Sequence, residues 1–490
     1  MTDRDDDPSV ADRADEPPAT ARSDGRSTAD RPDDPLLCVR GLKKHYPITE
    51  GVLRREVGRV RAVDGISFDV YPGETFGIVG ESGCGKSTAA TTLLGLEAPT
   101  DGEVLFDGVD VSAASKTERK RFRRRAQMIF QDPTTSFDPR MSVGESVAEP
   151  LRIHGMRDRD RRRRIAQNLL ERVGLSADDV DRYPHEFSGG QKQRIGLARA
   201  LVLNPDLIVA DEPVSALDVS IQAEILALMR RLQEEFDLAV VFISHNLGVV
   251  REVCDRVAVM YLGEIVEVGP TERLFADPQH PYTRALLSSI PTPDPRKRGR
   301  GIELTGDVPS PSDPPSGCRF HTRCPEIVQP DGYEFEQTGW RRVMDLRAKL
   351  NRGEVDRESA LELAAAHSAA TGGAAATGGT GGTDAGAASD GTRATEASTR
   401  EARAAIRRAF DLPAALTDER ADAVLSEALG LIVDGDSGGA AALLADEFST
   451  PCERREPRPT GVADGWSAAC HLLDGSRRAE GAEPVTGRED

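Results

Sequence analysis

The 490-residue chain contains no run of about 18 apolar residues, the length a helix needs to span a bilayer. No membrane-spanning helix is expected. The first residues, MTDRDDDPSVADRADEPP, lack the basic start and apolar stretch of a signal peptide, so a cytoplasmic location follows. Lysine is scarce too. It supplies 8 of 63 basic residues, leaving 55 arginines against 82 acidic residues, for a formal net charge of −19. That balance speaks against nucleic acid as the main partner, because binding phosphate backbones takes a basic face. The basic runs KTERKRFRRR (116–125) and RDRDRRRR (157–164) read instead as helices with solvated charged faces. High acid with little lysine fits a salt-rich cytoplasm, where a charged surface keeps protein soluble. The plainer alternative is a GC-rich genome with an acidic tail or two. There are seven cysteines and no C-x-x-C pair, and in a reducing compartment disulfides are a poor default.

Residues 1–34 hold Asp, Pro, Ser and Arg with almost nothing to bury and read as a disordered acidic tail. From about residue 35 to 276 the chain looks compact. TFGIVG (75–80), DLIVAD (206–211) and AVVFIS (239–244) are short apolar runs rich in β-branched residues, the pattern of buried strands in a largely parallel sheet. SIQAEILALMRRLQEEF (220–236) has helical periodicity, with Ser220 as the expected N-cap. Strands alternating with helices predict an α/β fold. Residues 277–325 are rich in proline and turns, 364–399 form an Ala/Gly/Thr tract that reads as a flexible linker, 400–447 look helical, and 476–490 read as a second disordered tail.

GESGCGKS (80–87) follows an apolar strand and precedes a helix-like segment, the context a phosphate-binding loop requires. Its glycines Gly80, Gly83 and Gly85, with Glu81, Ser82 and Cys84 between them, would aim backbone N–H groups into one concavity. Lys86 would reach the β- and γ-phosphates, and Ser87 would place its hydroxyl on Mg²⁺ with Thr88 beside it. Cys84 fills a free position and is given no chemistry. LIVADEP (207–213) is a strand ending in two acids. Asp211 is placed to hold Mg²⁺ through water, and Glu212 to orient and deprotonate an attacking water. Ser188, Gly189 and Gly190 precede the helical QKQRIGLARALVL, a helix N-terminus that suits an anion.

FSGGQKQR (187–194) resembles the signature motif of ATP-binding-cassette ATPases, and Asp211 follows Ser188 by 23 residues, the close spacing of that family. SALD (215–218) resembles its D-loop, ISHN its switch histidine at His245, IFQDP its Q-loop at Gln131, and KKHYPI the adenine-stacking aromatic at Tyr46. The resemblance implies a RecA-like lobe plus a helical signature subdomain, with ATP and Mg²⁺ as ligands. It implies that Ser188, Gly189, Gly190 and Gln191 bind the γ-phosphate held by an opposite subunit, with Asp218 in the D-loop. His245 would contact the γ-phosphate and the reacting water. Gln131 would sense Mg²⁺ and water, and report to a membrane partner.

PQHPYTRALL (278–287) and GCRFHTRCP (317–325) resemble the segments that follow the ATPase core in oligopeptide, dipeptide and nickel importers. QDPTTSFDPRMSVGESVAEPL (131–151) and SHNLGVV (244–250) resemble the F-type subunit. The implied setting is a pair with a D-type ATPase, or a homodimer, on two permeases at the cytoplasmic face of the membrane. An extracytoplasmic solute-binding protein would deliver substrate, and the composition adds a haloarchaeal origin. The alternative is a soluble regulatory or repair ATPase with no permease. After Pro325 the chain departs from the importer pattern for 126 residues (326–451), then CERREPRPTGVADGWSAACHLL (452–473) resembles the missing continuation. On this reading 277–325 and 452–475 form one C-terminal element interrupted by an insertion. Such an excursion is cheap, since loop closure cost grows slowly with length. Cys318, Cys324, Cys452 and Cys470 then form a set of four. The readings are a [4Fe–4S] cluster, which the resemblance favours, a structural zinc, or reduced thiols packed in a small core.

Overall fold

The computed structural model describes residues 34–474 except 52–53, 133–135, 291–300, 303, 305, 356–357, 359–399 and 401. Residues 1–33 of the expected N-terminal tail (1–34), the expected tail 476–490 and the Ala/Gly/Thr linker (364–399) lie outside the described residues.

Strands β1 (Leu37–Glu50) and β2 (Arg55–Val70) form an antiparallel ribbon, followed by β3 (Thr75–Val79) and helix α1 (Lys86–Leu93). After β4 (Asp101–Phe106) and β5 (Val109–Asp110) come α2 (Lys116–Arg125), β6 (Ala126–Ile129), α3 (Val143–Ile153), α4 (Arg159–Arg172) and α5 (Gly189–Leu201). Next are β7 (Leu207–Asp211), α6 (Val219–Phe236), β8 (Ala239–Ser244), α7 (Leu247–Val253), β9 (Arg256–Tyr261), β10 (Glu264–Pro270), α8 (Thr271–Ala276) and α9 (Pro281–Ser288). Helices α10 (Gln337–Asn351), α11 (Glu419–Asp434), α12 (Ser437–Glu447) and α13 (Pro451–Arg454) lead to the hairpin β11 (Pro459–Ala463) and β12 (Trp466–Ala469).

The main sheet runs β11-β12-β10-β9-β3-β8-β7-β6, and a smaller sheet runs β2-β1-β4-β5. Strands β6, β7, β8, β3 and β9 are parallel to their neighbours in that order. Three of the strands read from sequence, β3, β7 and β8, are buried at every position, as a sheet covered on both faces demands. Alternation with a period of two is still visible in where the side chains go. Val240 and Phe242 of β8 join one core, while Ala239, Val241 and Ile243 join the other.

The α/β reading holds, with two corrections. Ser220 is not the cap of its helix. The helix begins at Val219, Asp218 holds the N-cap position without a side-chain capping bond, and Ser220 lies in the first turn. An aspartate two residues upstream is as good a cap residue as serine, and periodicity alone does not choose between them. The parallel sheet is also not the whole β structure: β1, β2, β4 and β5 pair antiparallel. The two basic runs do form exposed helices. α2 spans the first of them, with Ser115 and Glu118 closing a reciprocal capping box.

The far C-terminal hairpin extends the core sheet, since β12 pairs antiparallel with β10, Glu267 opposite Ala468. One buried carboxylate ties this junction. Glu267 is 1% exposed and accepts from the Gln279 N–H at 2.9 Å, the His280 N–H at 2.9 Å and the Trp466 indole N–H at 3.0 Å. Three donors satisfy a charge that would otherwise be costly to bury. Helices α10, α11 and α12 add Trp340, Leu425, Leu429 and Leu444 to the larger core, with Phe335, Trp340 and Phe448 packed ring against ring.

His280 explains the H-P-Y spelling at α9. Its Nδ1 accepts the Tyr282 N–H at 3.0 Å as the helix N-cap, and Pro281 fills the first helical position, where a missing N–H costs nothing. The acceptor role needs a neutral ring, and complete burial pushes the imidazole down to about 3. Since the folded value lies below the ordinary 6.5, this contribution to stability is present above pH 6.5. It is lost as the pH falls toward 3, by about 1.4 kcal/mol per unit. Between about pH 7.5 and about pH 5.5, the wild-type chain should therefore lose about 1.4 kcal/mol more stability than His280→Asn. Parallel denaturant titrations measure this difference, and equal losses would refute it.

Candidate functional site

The phosphate loop leaves the C-terminal end of β3, where parallel α/β sheets place their ligands. Gly83 and Gly85 have φ of +79° and +106°, the left-handed region that glycine enters without strain. A Cβ at Gly85 would lie 1.9 Å from the Ala62 carbonyl oxygen, and one at Gly80 would lie 2.1 Å from that of Met260. α1 has no side-chain cap at Gly85, so its first-turn N–H groups remain for an anion. Lys86 is buried, and its ammonium donates to the carbonyls of Gly80 at 2.9 Å and Glu81 at 3.0 Å, with Cys84 Sγ at 3.8 Å. The residues present fit a polyphosphate.

They also fit a divalent cation. Asp211 is 5% exposed. Burial raises its carboxyl above the usual range, and the Ser87 hydroxyl reaching it pulls the other way. Its Oδ1 is buried with no hydrogen-bond partner among the described residues, the kind of orphaned carboxylate oxygen a cation satisfies.

Glu212 gathers the expected reaction partners. One carboxylate oxygen lies 2.8 Å from His245 Nδ1, and the other accepts from Gln131 Nε2 at 2.8 Å. These side chains come from the ends of β7, β8 and β6, three adjacent strands. The Glu212 backbone has φ of +45°, held by its N–H donating to Ile243 O at 2.9 Å. A non-glycine residue in this region carries strain, and here the strain aims the carboxylate away from the strand.

Tyr46 sits on β1. Its hydroxyl donates to Glu97 at 2.6 Å, with Thr88 beside it and the Lys44 ammonium 5.0 Å from the ring centroid. Glu97 was not anticipated, and nothing local in the sequence marks it. Ser188 and Gln191 bond each other in a reciprocal capping box at the start of α5. Gly190 abuts Ile221, where a Cβ would come within 2.5 Å, and Gly189 faces Leu217. Asp218 is exposed at the start of α6. No hydrogen bond among the described residues joins Ser188–Gln191 or Asp218 to the phosphate loop or to Glu212. The expected residues therefore fall into two groups, a phosphate-loop group and a signature group.

The four cysteines come together. The Cys318 N–H donates to the Cys452 carbonyl at 2.8 Å, and a Cβ at Gly317 would lie 2.4 Å from that same oxygen. Burial pushes the Cys324 and Cys318 thiols far up and the Cys470 thiol to about 12, with neighbouring thiols of the set adding to each rise. The chemistry of the donor set suits a soft metal. As placed, the side chains do not form a metal site: no three Cys, His, Asp or Glu side chains among the described residues converge on a metal position.

Residues 63–215 match a family described as ABC transporter, and 266–330 match the oligopeptide/dipeptide transporter C-terminal region. The chain is 55% identical over 295 residues to the oligopeptide transport ATP-binding protein AppF of Bacillus subtilis, an alignment spanning 59% of this chain and 89% of that protein. It belongs to the ABC transporter ATPases of the oligopeptide/dipeptide importer family. Another relative of this importer ATPase, the putative oligopeptide transport ATP-binding protein YkfD of B. subtilis, is 53% identical over 60% of this chain and 88% of that protein. A dimeric ATP-binding cassette solved in a post-hydrolysis state with ADP and Pi is 29% identical, covers 48% of this chain and 99% of its own, and has a TM-score of 0.43. Residues 337–465 match a domain of unknown function. That match runs past residue 451, where the insertion was expected to end, and includes Cys452 and β11.

Replacing Glu212 with Gln should lower ATP turnover at least about 100-fold while nucleotide affinity stays within about threefold, since the phosphate cradle is untouched. Lys86→Ala should weaken ATP binding itself by about tenfold or more. Turnover and equilibrium binding on the two variants read this out. Near-normal turnover in Glu212→Gln would remove Glu212 as the base.

Proposed function

We propose that this importer ATPase is the F-type subunit of a peptide importer, working at the cytoplasmic face of the membrane in a head-to-tail pair with a D-type ATPase on two permeases. The observation that carries the proposal is the division of its site. Glu212 joins Gln131 and His245 at the ends of three adjacent strands, beside the loop of Lys86 and Ser87 and next to Asp211, while the helix start at Ser188–Gly190 shares no hydrogen bond with them among the described residues and is capped within itself by Ser188 and Gln191. One chain thus holds half of two sites. In the pair, Ser87 and Asp211 would hold Mg²⁺, Tyr46 would stack on adenine and Lys86 would take the β- and γ-phosphates. Gly80–Gly85 and Thr88 would line the cradle, and the partner's signature would close over the γ-phosphate. Glu212 would accept a proton from water, oriented by the Gln131 and His245 contacts, and the Asp218 loop would lie at the seam. Closure on ATP and reopening after hydrolysis would move the permeases.

AppF is named for oligopeptide transport and YkfD for putative oligopeptide transport, and solute choice would rest with permeases and binding protein. No described helix is long and apolar enough to cross a membrane, which agrees with a peripheral subunit. The acidic, lysine-poor composition supports a halophilic surface. The C-terminal element of 277–325 and 452–475, with 326–451 as an insertion, is supported by the Cys318–Cys452 backbone bond. Its four thiols are the ligand set proposed for a [4Fe–4S] cluster. Iron, sulfide and zinc analysis of anaerobically purified full chain decides this, and absence of all three leaves the thiols as packing.

Pairing is testable directly. Alone and dilute, the full chain should hydrolyse ATP slowly, and adding the D-type subunit should raise the rate about tenfold or more. Full activity from a demonstrated monomer would contradict the divided site.

A further inference from the structure

The phosphate loop does not stand free of the C-terminal element. Glu81, the second residue of the loop, is gripped at both backbone and side chain. Its N–H donates to the Tyr282 hydroxyl at 3.0 Å, and its carboxylate takes two bonds from the Arg323 guanidinium, at 2.8 and 3.3 Å. Tyr282 is 0% exposed and Arg323 8%. The carbonyl of the same Glu81 accepts from the Lys86 ammonium at 3.0 Å, so the residue that is gripped also holds the phosphate-binding lysine.

The grip is itself anchored. Tyr282 packs against Tyr261 and Phe320, with ring centroids 4.7 and 5.2 Å away. The turn carrying Arg323 is held by Arg341 of α10, which donates to the carbonyls of His321 at 3.2 Å and Cys324 at 3.1 Å. Contacts thus run without a break from α10, through the cysteine-bearing turn, to the lysine.

We infer that Arg323 and Tyr282 are positioning residues for ATP binding, acting through Glu81. This rests on the reading of residues 80–87 as the phosphate loop. Two physical effects converge. A planar guanidinium bonded twice to a carboxylate fixes geometry as well as charge. It also cancels a negative charge at the entrance to a site built for a polyanion. Without Arg323, the Glu81 carboxylate would be uncompensated in a partly buried place and would repel the phosphates.

The charge effect gives a test that loss of packing would not imitate. Equilibrium binding of Mg-ATP to the full chain should weaken about five- to tenfold in Arg323→Gln, with Arg323→Lys intermediate. Adding Glu81→Gln to Arg323→Gln should restore affinity to within about threefold of wild type, because the second change removes the stranded charge. Tyr282→Phe should weaken binding about two- to fivefold by leaving the Glu81 N–H without its acceptor. In the assembled transporter, KM for ATP should rise in Arg323→Gln while kcat stays within about twofold. Wild-type affinity in Arg323→Gln, or a double variant weaker than both single ones, would overturn the inference. So would a fall in kcat with KM unchanged. Lys86→Ala separates the two levels of the argument: if it loses ATP while Arg323→Gln does not, the brace fails and the phosphate loop stands. If Lys86→Ala binds ATP normally, the loop reading falls and takes the brace with it.

Discussion

The pairing of β7 with β8 is the constraint on which the site depends. Asp211 lies opposite Ile243 in that ladder, and the next backbone bond, from Glu212 N–H to Ile243 O, forces Glu212 into its left-handed conformation. Two residues beyond Ile243 stands His245, within hydrogen-bonding distance of the turned carboxylate. β8 in turn pairs with β3, Val79 opposite Ser244, which brings the phosphate loop to the same edge. A one-residue slip in either ladder would turn every side chain to the opposite face and disperse the group. The two-sided apolar core that fixes the register is therefore also what holds an acid, a histidine and a phosphate cradle in one place.

Much of this was legible locally. TFGIVG, DLIVAD and AVVFIS are strands because continuous β-branched runs are what a doubly covered sheet requires, and the residues just after them are the functional ones. Other features left no such trace. β1 is half exposed along its length and carries several register shifts, so it shows neither a continuous apolar run nor a clean alternation. The Trp466–Glu267 bond spans 199 residues and the Arg323–Glu81 pair spans 242. Periodicity cannot register contacts at such separations. The stretches HPY and GCRFHTRCP stood out as family spellings. Their physical meaning, a buried histidine cap, a tyrosine acceptor and an arginine on the phosphate loop, emerged only from the folded geometry.

The segment between Pro325 and Cys452 begins and ends close together, as the backbone bond from Cys318 to Cys452 shows. Its helices share the aromatic core of Trp340 and Phe448, the chain closes on itself at Cys318 and Cys452, and the final hairpin adds two strands to the ATPase sheet. The segment thus extends the larger core, and the hairpin extends the sheet edge. With 8 lysines against 55 arginines, arginine makes buried ion pairs. Arg319, Arg323 and Arg347 each bind a carboxylate at under a tenth exposure, a role suited to a planar, weakly hydrated cation.

ATP hydrolysis by this importer ATPase energises peptide import. The most direct measurement is uptake of a labelled oligopeptide into proteoliposomes holding the permeases, the proposed D-type subunit and this chain, with binding protein and peptide on the opposite side from ATP. Uptake should require ATP and this chain together, and ADP should not support it. Equal uptake without this chain, or brisk ATP turnover by it that is indifferent to the permeases and moves nothing, would contradict that role.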